Sequence, residues 1–135
     1  MKLTEFGEIV FKATAASGSL PVPDAIVRIR GAEEANRQTV YSLLTDIDGI
    51  TPIIKLPAPS KAFSEAPRSP EYGYASYDVE VSANGYYPKR IYGIPIFPDT
   101  TTVQPINMIP LAQSNPYGEI PKGNLNTVIQ ENPML

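Results

Sequence analysis

The chain has 135 residues, with 11 basic and 14 acidic side chains and a formal net charge of −3. This length predicts one domain, and the charge balance argues against a nucleic-acid-binding surface. The chain contains no cysteine and no histidine, which excludes disulfides, thiolate metal sites, the commonest general base and the commonest zinc ligand. Fifteen prolines and nine glycines are too many for a mainly helical protein.

The N-terminal residues do not have the pattern of a secretory signal, because Glu5 and Glu8 stand where a signal needs an apolar core. Charge or proline also interrupts every apolar run before it reaches the roughly 18 residues of a membrane span. We therefore expect a chain that is made in the cytoplasm without a signal peptide and that has no membrane span.

Seven segments alternate apolar and polar residues as β-strands do, and turn residues separate them. In the fifth segment, for example, Tyr77, Val79 and Val81 share one face, while Asp78 and Glu80 share the other. The seven predicted strands cover residues 7–15, 25–30, 39–45, 50–56, 77–83, 90–97 and 102–109.

Two turns are predicted from Asp, Asn and Gly residues. Asp46, Asp48 and Gly49 are expected to form a hairpin turn between the third and fourth strands. Gly85 follows Asn84 and allows a positive φ before the chain re-enters the sheet. The first of these turns also resembles the start of a calcium loop, but Pro57 stands where the late bidentate Glu would fall. We therefore predict a structural turn, and no metal or other cofactor.

Seven strands and no helix long enough for a crossover predict an all-β protein. The architecture is a seven-stranded antiparallel β-sandwich over residues 1–110, made of two sheets packed face to face. Residues 111–135 contain three prolines and four asparagines, and their apolar residues have no period. This segment is predicted to be an extended, irregular C-terminal tail.

Three parts of the pattern resemble the carboxypeptidase-regulatory-like domain. They are residues 21–29 (PVPDAIVRI), residues 44–49 (LTDIDG), and residues 77–81 (YDVEV) followed by Gly85 and Tyr86. The resemblance covers residues 7–110 and implies a transthyretin-like, also called prealbumin-like, Greek-key sandwich.

A narrower resemblance is to the N-terminal domain of clostridial spore cortex-lytic enzymes. It lies in residues 56–59 (LPAP), residues 94–98 (IPIFP) and the pair Ile109 and Pro110. In those enzymes the domain precedes a catalytic module and is not itself catalytic. The resemblance implies an association with the bacterial spore or cell wall, and we expect no lytic module in this chain.

Aromatic residues near the proline-rich stretch 57–70 and after the fifth strand are the candidate binding residues. The simplest expectation is that the tyrosines cap the two ends of the sandwich core. Their leading functional use, if exposed, is stacking on a sugar or contact with a protein. The stretch 57–70 either docks into a partner or covers an edge strand. The predicted binding residues are Phe63, Arg68, Tyr72, Tyr74, Tyr86 and Tyr87.

The sequence therefore predicts a non-catalytic module that binds a protein partner in a spore- or cell-wall-associated assembly. Asp78 and Glu80 form a carboxylate pair on one strand face, and we expect them to be solvated rather than catalytic. Two alternatives remain open. One is a detached regulatory or inhibitory pro-domain of a separately encoded wall hydrolase. The other is a carbohydrate-binding module that holds peptidoglycan or another glycan through exposed tyrosines.

Overall fold

The computed structural model describes residues 3–60 and 73–111, and the strands in these ranges belong to two sheets. Two single 3₁₀ turns, Ala16–Gly18 and Glu34–Asn36, are the only helical pieces there, and neither approaches the length of a membrane-spanning helix. The strands are β1 (Glu5–Ala15), β2 (Leu20–Pro21), β3 (Ile26–Gly31), β4 (Val40–Leu44), β5 (Ile54–Ala58), β6 (Ala75–Ser82), β7 (Lys89–Ile96) and β8 (Thr101–Asn107).

Sheet A is built around the long strand β1. Strand β8 runs parallel to β1, whereas β5 and β2 run antiparallel to it. Glu8 pairs with both Lys55 of β5 and Thr101 of β8, so β5 and β8 must lie on opposite sides of β1. Sheet B has the order β4-β3-β6-β7, and all its neighbouring strands are antiparallel.

The inward faces of the two sheets form the core, as the alternation of apolar residues predicted. Phe11 and Ile9 of β1 are buried against Val27 and Ile29 of β3 and Tyr77 of β6 in one apolar cluster. The other buried members of this cluster are Ala13, Ala15, Val22, Ala25, Leu56, Ala58, Ala75, Val79, Val81, Ile94, Ile96, Ile106 and Met108.

The predicted hairpin between the third and fourth strands is wrong, because β4 lies in sheet B and β5 lies in sheet A. Residues 46–49 do form a turn, with the Gly49 N–H donating to the Asp46 carbonyl oxygen at 2.9 Å. The chain then crosses between the sheets instead of folding back along β4. Strand β6 then returns to sheet B and lies beside β3. The four strands β3 to β6 therefore have Greek-key topology, in which the fourth strand lies beside the first.

Two buried threonines support this crossing. The Thr45 hydroxyl accepts the Ala25 N–H at 2.8 Å and donates to the Val22 carbonyl oxygen at 2.7 Å. The Thr51 hydroxyl oxygen accepts the Phe11 N–H at 3.0 Å. Backbone groups that enter or leave a strand at this point are thereby satisfied without a neighbouring strand.

Two further differences from the predicted sandwich concern strand number and direction. An eighth, two-residue strand, β2, lies in a stretch that was predicted to be a connection, and it pairs with the end of β1. The pairing of β1 with β8 is parallel, so the sandwich is not antiparallel throughout. Alternation along a strand shows which face is buried, but it carries no information about the direction of a neighbour that lies about 90 residues away.

We predict that Thr45→Val destabilises the protein by about 2–3 kcal/mol, since it leaves the buried Ala25 N–H and Val22 carbonyl groups without partners. Thr101→Val is the control, because its hydroxyl makes an exposed bond to Glu8, and it should change stability by no more than about 0.5 kcal/mol. Urea unfolding of both variants measures the difference. Equal midpoints would contradict a structural role for Thr45 in the crossing.

Candidate binding surface

One side of β4 forms an open, apolar edge of sheet B. Among the described strands β4 pairs only with β3, and we call its other side the β4 edge. Val40 and Leu44 are 58% and 57% exposed there, and Ile47 just beyond the strand is 78% exposed. Tyr41 is also exposed, although it lies opposite Ile29 on the inward face. Four large apolar side chains within eight residues therefore face solvent.

The β4 edge lacks the protection that the other edge strands of the described structure carry. Native edges are normally shielded by proline, by charge or by an irregularity in the ladder. Pro57 of β5 and Pro105 of β8 interrupt their strands. Strand β7 contains Pro95 and a register shift opposite residues 77–79, and Gly93 there has a positive φ. Residues 38–45 contain no proline, no glycine and no charged residue.

The outer face of sheet B becomes charged one strand away from this edge. Arg28 and Arg30 of β3 are exposed and lie opposite Glu80 and Asp78 of β6. Glu80 accepts hydrogen bonds from Arg90 at 2.9 and 3.2 Å. The charges of β3, β6 and β7 thus alternate in sign and partly compensate one another, whereas β4 presents only apolar and hydroxyl groups.

Asp78 and Glu80, the carboxylate pair noted in the sequence, both have structural contacts. An Asp78 carboxylate oxygen accepts the Gly93 N–H at 2.9 Å, at the irregular part of β7. Glu80 is bonded to Arg90. Within residues 3–60 and 73–111, no three acidic side chains converge as metal ligands would.

An open cleft of about 550 Å³ lies where the start of β1 meets the turn before β8. The Glu8 carboxylate accepts the hydroxyl of Thr101 at 2.8 Å in this cleft. The lining is mixed in charge, and this hydroxyl–carboxylate contact is exposed to solvent. The cleft is lined by Thr4, Glu5, Phe6, Glu8, Lys55, Asp99, Thr100 and Thr101.

The predicted turn residues adopt turn geometry. One Asp46 carboxylate oxygen accepts the N–H groups of Asp48 and Ile50 at 2.9 and 3.0 Å, an Asx-type turn. Gly49 and Gly85 both have positive φ, +78° and +86°. A Cβ on Gly49 would collide with the carbonyl oxygen of Ala13, whereas a Cβ on Gly85 would meet open space.

The structure does not bring the predicted tyrosines together. Tyr74 precedes β6 and makes an edge-to-face contact with Phe97, with ring centroids 5.3 Å apart. Tyr86 and Tyr87 follow β6 at its other end, and the eight residues of β6 span roughly 27 Å. Tyr86 packs against the core and the Tyr87 hydroxyl is buried without a partner among the described groups. Phe63, Arg68 and Tyr72 lie outside the described residues.

Among the described residues, Tyr77 and Lys89 have shifted pKa values, and burial is the main cause for each. Burial raises the pKa of the Tyr77 phenol to about 12, and its hydroxyl donates to the Pro57 carbonyl oxygen at 2.6 Å. Burial lowers the pKa of Lys89, whose ammonium donates to the Asn107 carbonyl oxygen at 2.9 Å. The Tyr77 bond joins β6 to β5 and the Lys89 bond joins β7 to β8, so both contacts link sheet B to sheet A.

Sequence reasoning missed the β4 edge, although Val40, Tyr41 and Leu44 lie within a predicted strand. An apolar strand without charge is usually central in a sheet, because burial on both faces favours such a composition. The missing signal was the position of this strand within sheet B, which the hairpin interpretation of residues 46–49 concealed.

No protein-family model matches the chain, and no curated protein sequence matches it. The structure is similar to the TIE protein of Bacillus anthracis, with a TM-score of 0.53 and 14% identity over 79% of this chain and 17% of that chain. It is also similar to the mercury-inhibited catechol 1,2-dioxygenase of Acinetobacter sp. ADP1, with a TM-score of 0.52 and 13% identity. That match covers 87% of this chain and 56% of the dioxygenase. The chain thus spans less than two thirds of either protein, and the likeness is one of fold: an all-β sandwich.

We predict that Gly49→Ala costs more stability than Gly85→Ala. Both variants place a side chain at positive φ, which costs about 1–2 kcal/mol. Only Gly49→Ala adds a collision with backbone, at the Ala13 carbonyl group, and its total cost should exceed that of Gly85→Ala by at least about 1 kcal/mol. Chemical denaturation of the pair gives the comparison. Equal costs would contradict the close approach of the turn to β1.

We predict that stability falls between about pH 10 and pH 12 because of Tyr77. In this range the unfolded chain loses the phenolic proton while the folded chain keeps it, so deprotonation favours unfolding. The loss should be on the order of 2 kcal/mol and should be missing from Tyr77→Phe. Unfolding curves of wild type and variant at several pH values measure it. The same slope in both proteins would mean that Tyr77 ionises normally in the folded state.

Proposed function

We propose that this chain is a non-catalytic β-sandwich module that recognises a protein by adding a strand at the β4 edge. The single observation that carries the proposal is the composition of that edge: it is exposed, regular, uncharged and free of proline over Val40–Leu44. A strand edge of this kind presents a row of backbone donors and acceptors that a second strand can satisfy.

The β4 edge has both components that strand addition requires. The backbone supplies hydrogen bonds at every second residue, which give affinity with little dependence on sequence. The exposed side chains of Val40 and Leu44 supply apolar contact on the outer face, and Tyr41 supplies it at the rim of the core. Exposed apolar area of this kind is typical of protein-binding surfaces.

The proposal that the module is non-catalytic is supported by how the polar side chains are used. Asp78 and Glu80 orient backbone and side chain groups of β7, and the Tyr77 hydroxyl binds the Pro57 carbonyl group. The two carboxylate contacts link β6 to β7, and the Tyr77 contact links sheet B to sheet A. Groups held in this way are poorly placed for proton transfer to a bound molecule.

We further propose that the module works in a spore- or cell-wall-associated assembly. The support is the resemblance of residues 94–98 and of Ile109 and Pro110 to the N-terminal domain of spore cortex-lytic enzymes, within the broader resemblance to carboxypeptidase-regulatory-like domains. A detached pro-domain of a wall hydrolase would also bind protein through its surface, and would differ in having the hydrolase as its partner.

Ser42→Pro should separate binding from folding. The Ser42 N–H points away from β3, so proline there removes a group of the open edge without breaking the β3–β4 ladder. In cells that make this protein, we expect the wild-type chain to be retained in the spore and cell-wall fractions and Ser42→Pro to be retained at least five-fold less. Ser42→Ala keeps the N–H and should behave as wild type.

Quantitative immunoblots of the fractions measure retention, and circular dichroism of the purified variants checks folding. Equal retention of folded Ser42→Pro and wild type would contradict the role of the β4 edge. A wild-type chain that is missing from both fractions would contradict the proposed location.

A further inference from the structure

We propose that the strand added at the β4 edge is β4 of a second copy of this chain, paired antiparallel about a two-fold axis at Ser42. This inference rests on the proposed function, because it names the partner of the same edge. It follows from three properties of the edge: the phase of its hydrogen bonds, its register and its lack of charge.

The phase of the β3–β4 ladder shows which backbone groups face the open side. The Gly31 N–H donates to the Thr39 carbonyl oxygen at 3.1 Å, and the Thr45 N–H donates to the Ala25 carbonyl oxygen at 3.0 Å. Residues 39, 41, 43 and 45 therefore direct their backbone groups towards β3. Because the direction alternates along a strand, the N–H and carbonyl groups of Val40, Ser42 and Leu44 point to the open edge.

A two-fold axis at Ser42 uses all of these groups. Ser42 would form a hydrogen-bonded pair with Ser42 of the second copy, and Val40 would pair with Leu44 on either side of the axis. Each of the three pairs exchanges two N–H···O bonds, which gives six bonds across the interface. The result is one continuous sheet made from the two copies of sheet B.

The side chains in this register are complementary. Val40 would lie beside Leu44 of the second copy on the outer face, at the two positions that are 58% and 57% exposed. Tyr41 would lie beside Leu43 on the inner face. The smallest side chain, Ser42, lies at the axis, where it meets its own copy. Cross-strand pairs of aromatic and aliphatic residues stabilise a sheet by about 0.2–1 kcal/mol each.

Charge favours an identical partner. A two-fold axis at Ser42 brings each residue near the axis close to its own copy, so a charged residue there would face a like charge. Residues 38–45 contain no charged residue, so self-pairing at this edge brings no like charges together within the paired strands. The closest like charges on the adjoining strands, Arg28 of the two copies, would be about three strand spacings or 14 Å apart, beyond the Debye length of about 8 Å.

The interface is short, and its small area limits the affinity between the two copies. Five paired residues bury less than the roughly 800 Å² per partner of a standard interface. We therefore expect a reversible dimer whose population rises with concentration. In an assembly, the high local concentration of neighbouring copies would increase its occupancy.

A cysteine at the axis tests the register directly, because the chain has no cysteine of its own. Hydrogen-bonded antiparallel pairs have Cα atoms about 5.5 Å apart, within disulfide range. With oxidised glutathione we expect Ser42→Cys to form a covalent dimer. Leu44→Cys is the matched control, because its two copies would be about 15 Å apart, and we expect at least ten-fold less cross-linking. Equal cross-linking of both variants would overturn the register.

Charges at the axis give a second test that does not need oxidation. Ser42→Lys and Ser42→Asp should each be monomeric in sedimentation experiments at concentrations where wild type dimerises. An equimolar mixture should restore the dimer, because Lys and Asp then face each other across the axis. Monomeric wild type at millimolar concentration, or a mixture that stays monomeric, would overturn self-pairing.

Hydrogen exchange separates the failure of this inference from the failure of the proposed function. If the purified chain stays monomeric and the amides of Val40, Ser42 and Leu44 are protected, another segment of the same chain covers the edge, and both proposals fail. If those amides exchange rapidly and retention in the spore or cell-wall fraction still depends on Ser42→Pro, the partner is a different protein. Only the self-pairing inference then fails.

Discussion

The passage of the chain from sheet B to sheet A depends on two buried threonine hydroxyl groups, and the open edge depends on that passage. Thr45 bridges the backbone of Val22 and Ala25 where β4 ends, and Thr51 accepts the Phe11 N–H where the chain joins β1. Because the chain leaves β4 for the opposite sheet, no described strand returns along its outer side. The position of β4 at an edge is therefore a consequence of the Greek-key connection and not of the composition of β4.

Composition then distinguishes this edge from the others. Strands β5, β7 and β8 carry Pro57, Pro95 and Pro105, which block the addition of a further strand. Strand β4 has no such block, and its neighbour β3 keeps Arg28 and Arg30 one strand away from the edge. The surface proposed for recognition thus combines unpaired backbone groups with apolar side chains, while the charged outer face of sheet B keeps the module itself hydrated.

Much of the fold follows from local pattern. The alternation in β1, β3 and β6 predicted which side chains are buried, because side chains in a strand point to opposite faces whatever the strand pairs with. The sheet membership of β5 did not follow. The Asp46 carboxylate makes the same short-range bonds whether the next strand folds back or crosses over, so the turn residues predict a turn but not its destination. The exposure of Tyr74 and Tyr86 was equally undetermined, because both lie at strand ends.

The amino-acid sequence was sufficient to predict a β-sandwich, the approximate positions of seven of the eight described strands and which of their faces are apolar, since these properties depend on residues within a few positions of one another. Long-range packing, in contrast, sets the parallel pairing of β1 with β8, the passage of residues 46–49 to the opposite sheet and the exposure of Val40 and Leu44. Each of these depends on hydrogen bonds between residues far apart in the chain. Their free energy comes from the whole arrangement of both sheets, which no single segment specifies.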